Sequence, residues 1–335
     1  MTTDNLGDVS VTWWGASAVA IEFDSYRAII DPVLVPDAGD CFDYVLVTRE
    51  DHDHCHEPTL RRIVAGDRFT RMLAASGCAQ ASRLDVPSLG DGDLGFVEPA
   101  ALTLMHPKYT RRGGAAASGA VVEVSLPGFR VEATESNEHD SLTLLGSRAW
   151  GKRYLPADGT PWPAGRGPLA PFGALPPLGF VVTAENGFSV WHPGDLQIGY
   201  DALYRLAGRV DLMLWPLNPM LGAELPVMEI VRPRMVLPIH YRPASQSPPA
   251  VAEGLRFTDP FSGRPHDGAG MAAYREEIRS LIAHGWSASP RDAEQRIDDL
   301  RPAIHDLGAE LLTPLPGEPV RLQTRTIEPA MGAAR

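Results

Sequence analysis

Tyr44-Val45-Leu46-Val47-Thr48-Arg49-Glu50-Asp51-His52-Asp53-His54 is the stretch whose reading decides the fold of this chain. Its first four residues are nearly continuous strand formers, the pattern of a short strand buried on both faces. The next seven residues make a dense run of polar and ionisable side chains rather than a simple turn. A rigid strand fixes the backbone at its end, and the loop beyond leaves room for a ligand, so an apolar strand that ends in Asp and His is where sheet proteins collect site residues.

Further pieces accompany it along the chain, and in the downstream ones an apolar strand again delivers an Asp or His at its end. Upstream, Trp13-Trp14-Gly15 follows an apolar stretch, and Ile30-Asp31-Pro32 ends a short strand at 27–30. Downstream, Glu135-Ser136-Asn137-Glu138-His139-Asp140 follows a strand, His192-Pro193-Gly194-Asp195 ends another, and Pro238-Ile239-His240-Tyr241 ends a third.

In this order and composition the motifs resemble the metallo-β-lactamase superfamily, particularly its branch of small-molecule hydrolases resembling ascorbate-phosphate lactonase. The ligand turn of that superfamily reads Thr-His-x-His-x-Asp-His. Here Asp53 and His54 stand at its last two ligand positions, and Arg49 and Asp51 replace two histidines that serve the first metal. His139 falls on the histidine of the third motif, Asp195 on the bridging aspartate and His240 on the final histidine. The resemblance spans roughly residues 8–245. It implies an α/β fold, the αββα four-layer sandwich, with Asp53, His54, His139, Asp195 and His240 as metal ligands at one edge. His52, His54 and His56 also alternate and offer a shifted ligand set. The register beginning at Thr48 is preferred, because the strand ends there and the superfamily's turn starts immediately after that threonine.

Asp53, His54, Asp195 and His240 would form a set of two imidazoles and two carboxylates, suited to zinc, iron or manganese. Arg49 cannot ligate, because its guanidinium stays protonated. It would pair with Asp51 or hold a substrate carboxylate or phosphate. One firmly bound divalent metal is therefore expected, with a second weak or absent. Asp51, Glu135 and Glu138 are the residues that could rebuild the first pocket.

Three functions remain open on these residues. In a hydrolase, Asp53 or Asp51 would orient or deprotonate a metal-bound water that attacks a small anionic ester, lactone or phosphodiester. Some members of the superfamily are oxygenases, one kind carrying a carboxylate at the second histidine position, and an oxygen-rich site suits non-haem iron. A binding protein that has lost catalysis is the third reading, with Arg49 its best support.

The whole chain sets wider bounds. It has 335 residues, 44% hydrophobic and 21% charged, the composition of a globular protein. No apolar run of about 18 residues suggests a membrane span, and residues 1–5 lack the basic and apolar parts of a secretory signal. Cys41, Cys55 and Cys78 are too few for a disulfide framework. A cytoplasmic setting is expected. The net charge of −12, without a basic stripe, argues against a nucleic-acid partner and leaves a small-molecule substrate, with a homo-oligomer open.

Strands are expected within 9–23 and at 27–30, 43–48, 71–76, 94–106, 119–125, 128–134, 178–183, 188–192, 210–215 and 235–239. Helices are expected at 58–65, 77–84, 200–207, 225–231, 269–284 and 292–307. The main domain would cover 1–245, and 246–335 would be a C-terminal loop and helical extension packed on it. Within the main domain, 150–178 is long for a connection and rich in proline and glycine. Arg153, Tyr154 and Trp162 in that insertion, with Tyr241, are the other candidate substrate contacts; an oligomer-contact arm is the competing role for the insertion.

Overall fold

The computed structural model describes residues 8–33, 35, 41–49, 54–75, 78, 94–108, 120–136, 177–196, 201–217, 224–241 and 290–323. Asp51, Asp53, His139, Arg153, Tyr154 and Trp162 lie outside these residues, as do the helix expected at 269–284 and the 150–176 part of the insertion. The helix expected at 77–84 also falls there, apart from Cys78.

Among the described residues two mixed seven-stranded sheets form the body. The first begins as an antiparallel meander of β1 (Val9–Gly15), β2 (Ala18–Phe23) and β3 (Tyr26–Ile30). It continues in parallel through β4 (Tyr44–Val47), β5 (Arg71–Ala75) and β6 (Leu102–Met105). The second repeats this plan. β7 (Glu123–Leu126), β8 (Phe129–Glu135), β9 (Leu178–Ala184) and β10 (Ser189–His192) run antiparallel. β11 (Leu212–Pro216) and β12 (Met235–Ile239) then add in parallel.

The pleat of the second sheet assigns its layers. Phe180, Val182, Val190, Leu212, Leu214, Leu237 and Ile239 join the core shared with the first sheet. Their alternates Val181, Trp191, Met213, Trp215 and Val236 form a second cluster. That alternation is the period-two signature of a strand covered on both faces. The outer cluster is closed by α2 (Glu224–Val231), which brings Val227, Met228 and Val231, and by α3 (Pro290–Asp306), which brings Ala293, Ile297 and Ile304. On the first-sheet side, α1 (Glu57–Val64) has a proline in its first turn and places Leu60 and Ile63 in the core. Each such burial contributes about 1.5–3 kcal/mol. The result is the αββα sandwich.

Several elements differ from expectation for local reasons. Of 94–106, only Leu102–Met105 is strand, because Pro99 opens a single 3-10 turn before it. The helix expected at 200–207 is a 3-10 helix, Asp201–Leu206. The C-terminal region also does more than add helix. β13 (Glu310–Leu311) pairs parallel with β12, and β14 (Pro319–Leu322) pairs antiparallel with β1, so both sheets are completed by residues beyond 309.

Candidate metal centre

The site forms where C-terminal strand ends from the two sheets meet. β3 delivers Asp31, β4 delivers Thr48 and Arg49 with His54 beyond, β10 leads to Asp195 and β12 to His240. Backbone bonds tie the two sheets together here. Leu178 N–H donates to Thr48 O at 2.8 Å, and His240 N–H donates to Ala16 O at 2.7 Å. Ala16 N–H donates in return to Tyr241 O at 3.1 Å, and the Trp13 indole donates to Ala16 O at 3.0 Å. Ala16, Asp31 and His240 all have left-handed backbones, with φ of 46°, 48° and 62°. For an L-residue that conformation is uncommon and costly unless its surroundings over-determine it, and such residues cluster at functional sites.

His54, Asp195 and His240 are buried, and their potential ligand atoms lie within 4.8 Å of one another. His54 Nε2 stands 3.2 Å from Asp195 Oδ2, and His240 Nε2 stands 3.3 Å from Asp195 Oδ1. The two imidazole rings are stacked, 5.4 Å apart.

Behind His54 stands Asp31, fully buried. Asp31 Oδ1 accepts the Thr48 backbone N–H at 2.7 Å, and Oδ2 accepts the Thr48 hydroxyl at 2.6 Å. His54 Nδ1 lies 2.7 Å from the same Oδ2. A carboxylate only accepts, so Nδ1 carries a proton, and Nε2 is the nitrogen that would turn a lone pair to an ion bound beside Asp195.

The donor set fits a divalent ion. Ligand atoms about 2.0–2.1 Å from a tetrahedral zinc stand roughly 3.3 Å apart, close to the separations seen here. Asp195 Oδ1 accepts no hydrogen bond among the described residues, which leaves that oxygen to an ion. His54, Asp195 and His240 would hold the metal, with Asp31 fixing the His54 tautomer in the carboxylate–histidine manner.

Burial alone would raise the Asp195 pKa. The Arg49 guanidinium, then His240 and His54, outweigh that and hold the carboxyl well below the usual carboxylate range. Arg49 Nη2 lies 2.7 Å from Asp195 Oδ2, with both side chains buried. Arg49 thus engages Asp195, far away in the sequence, a contact that the sequence does not suggest.

His192 stands three residues before Asp195, at the end of β10. It is fully buried, and burial lowers its pKa despite the nearby Asp31 charge. Its Nε2 donates to Ser17 O at 3.1 Å, while Nδ1 accepts the Gly194 N–H at 3.1 Å. The ring therefore clamps the turn that presents Asp195. That turn needs Gly194: φ is +64°, and a Cβ there would lie 2.5 Å from Leu178 O. Tyr241 packs its ring on Trp13, with centroids 4.4 Å apart. Burial, helped by the Glu294 charge, pushes its hydroxyl up to about 12. His56 is buried and bonds Thr59 Oγ1 at 2.8 Å, within the first turn of α1.

The structure thus brings Arg49, His54, Asp195 and His240 to one place, with Tyr241 following His240 in the chain and packing its ring on Trp13. Asp31 and Thr48 also belong to the site, although sequence reasoning does not single them out as site residues. Their signal is the Asp31-Pro32 pair at a strand end and the threonine opening the ionisable run.

Two mixed sheets face to face, with buried His and Asp side chains gathered at their strand ends, define a protein of the metallo-β-lactamase fold. The family described as a beta-lactamase superfamily domain matches residues 10–240, and the chain belongs to it. Among its relatives, a metal-dependent hydrolase of Cupriavidus necator is 29% identical over 261 residues, covering 72% of this chain and 76% of its own. A second, from Cupriavidus taiwanensis, is 28% identical over 263 residues, covering 72% of this chain and 77% of that one. Two solved structures share the fold. Igni18, a metallo hydrolase of Ignicoccus hospitalis, has a TM-score of 0.50 at 15% identity, over 95% of this chain and 100% of that one. CmlA, a diiron beta-hydroxylase of Streptomyces venezuelae, has a TM-score of 0.50 at 15% identity, over 95% of this chain and 54% of that one. No helix among the described residues is long and apolar enough to cross a membrane.

Proposed function

We propose that this protein is a metal-dependent hydrolase acting on a small anionic ester, lactone or phosphodiester. The observation that carries the reading is the convergence of His54, Asp195 and His240, with Asp31 turning the His54 lone pair inward. The description of two relatives as metal-dependent hydrolases supports it. A divalent ion bound there supplies an acidified water and a Lewis acid for the substrate oxygen.

The chain's own residues set the geometry. Asp31 and Thr48 lock the His54 ring, His192 and Gly194 hold the Asp195 turn, and the Ala16 backbone anchors His240. Arg49 keeps Asp195 ionised and fixed. Asp53 or Asp51 would orient the attacking water or move its proton. Arg153, Tyr154 and Trp162 of the long insertion, with Tyr241, would contact the substrate.

The test is protein purified without added metal, assayed by elemental analysis and against carboxylic esters, lactones and phosphodiesters. Zinc or manganese, with turnover removed by a chelator and restored by the ion, is the expected result. Protein with no bound metal and no thermal shift on adding any divalent ion would overturn the reading. A second reading, a non-haem iron oxygenase, is favoured by one observation: the described ligand set is two histidines and one carboxylate. Co-purified iron and oxygen uptake dependent on ferrous ion would establish it over hydrolysis.

A further inference from the structure

We propose that Arg49 is the resident second cation of this centre. Its guanidinium occupies the side of Asp195 on which another ion would sit, so the centre takes a single divalent metal. This rests on the reading of His54, Asp195 and His240 as metal ligands.

Three observations lead there. The contact is direct and buried: Nη2 meets Asp195 Oδ2 at 2.7 Å, and the Arg49 side chain is 2% exposed. Such placement is unusual for an arginine that serves only as a solvent-facing substrate clamp. Next, the two oxygens of Asp195 are divided. Oδ2 takes Arg49 and faces His54, while Oδ1 faces His240 and accepts no hydrogen bond among the described residues. A carboxylate offers about four lone-pair positions, so the guanidinium consumes part of its capacity and leaves the rest to one ion. Finally, the charge of Arg49 is permanent, because its guanidinium does not deprotonate in proteins. A second divalent ion against Asp195 Oδ2 would have to displace a fixed positive charge in a buried setting, where repulsion is screened far less than in water.

The guanidinium also differs from a metal in what it does. It orients Asp195 and neutralises it, yet it supplies no open coordination position for water. Arg49 is therefore a positioning residue. It keeps Asp195 in place before the ion arrives and weakens the ion's hold, since like charges share one carboxylate.

The experiment loads the wild-type protein with Mn(II) and reads the ion count at saturation by elemental analysis after dialysis, together with the electron paramagnetic resonance spectrum. One ion per chain and the six-line signal of an isolated Mn(II) are expected. Two tightly held ions per chain, or an exchange-coupled spectrum, would overturn the proposal without needing a variant.

Arg49→Met then removes the charge while keeping an unbranched side chain. It should bind the first Mn(II) at least about tenfold more tightly, by competition with a chelator, and show a larger thermal shift on adding Mn(II) than wild type. An unchanged affinity and an unchanged shift in a folded variant would overturn it. If neither protein retains any divalent ion, both this inference and the functional reading fail. If both retain one that ignores Arg49, only this inference fails.

Discussion

Asp31→Asn isolates how the buried carboxylate controls the metal ligand in front of it. The backbone tolerates the change, because φ is +48° and Asn shares with Asp a relative ease in that region. The shape is kept, and one oxygen can still accept the Thr48 N–H that now reaches Oδ1 at 2.7 Å. The other oxygen becomes an NH2. At that position it faces His54 Nδ1, now 2.7 Å away, and two donors cannot meet. The imidazole must move its proton to Nε2, which removes the lone pair for an ion bound beside Asp195. Loss of such a carboxylate partner typically costs about 10–100-fold in metal affinity. That corresponds to about 1.4–2.8 kcal/mol, in line with a hydrogen bond to a charged group at about 1.5–3 kcal/mol. Competition with a fluorescent chelator measures it, with a denaturation curve run alongside to separate affinity from folding. A folded Asp31→Asn protein that binds within about threefold of wild type would refute the assignment of the His54 tautomer.

The other predictions concern the ligands, the turn and the acid response. His240→Ala and Asp195→Ala should each lose the metal during dialysis, and full occupancy in either would remove that residue from the ligand set. Gly194→Ala should lower stability by about 1–3 kcal/mol, because it combines a left-handed backbone with a Cβ pressed on Leu178 O, read as a lower urea midpoint. Glu132 sets a pH dependence away from the site. Burial would raise its pKa, but hydrogen bonds from Lys108 and Arg209 bring it below the usual glutamate value. A depressed carboxyl stabilises the fold above its unfolded pKa, and that contribution is lost as pH falls through the folded value. Wild type should therefore lose stability on acidification below about pH 4.5 more steeply than Glu132→Gln, and parallel urea midpoints between roughly pH 6 and 3 would contradict this.

Sequence pattern exposed the fold wherever burial is written locally. β4, β11 and β12 are buried along their whole length and read as uninterrupted apolar runs. β13 and β14 escape such a reading, because two residues and a four-residue Pro-Val-Arg-Leu segment are too short for a pattern to decide. Their strand state comes from partners remote in sequence. Local signal also reveals the chemistry of the site more readily than its pairing. His54, Asp195 and His240 stand out at strand ends, whereas Arg49 suggests Asp51 because the two are neighbours. Nothing local reveals that folding carries Asp195 to it. Asp31 is visible as an Asp-Pro stop, but its role depends on which histidine nitrogen it faces, a property of three dimensions only.

The register of β14 against β1 has a consequence for biosynthesis. Val9 lies opposite Leu322, and Gly317 N–H reaches the Trp13 carbonyl at 2.7 Å. During synthesis β1 thus waits for a partner made about 310 residues later, which at about 5–20 residues per second is roughly 15–60 s. Throughout that interval one margin of the first sheet offers unsatisfied amides and carbonyls to any passing strand, the condition that invites aggregation. A nascent chain stalled before residue 319 should accordingly be a better client for chaperones than the finished protein.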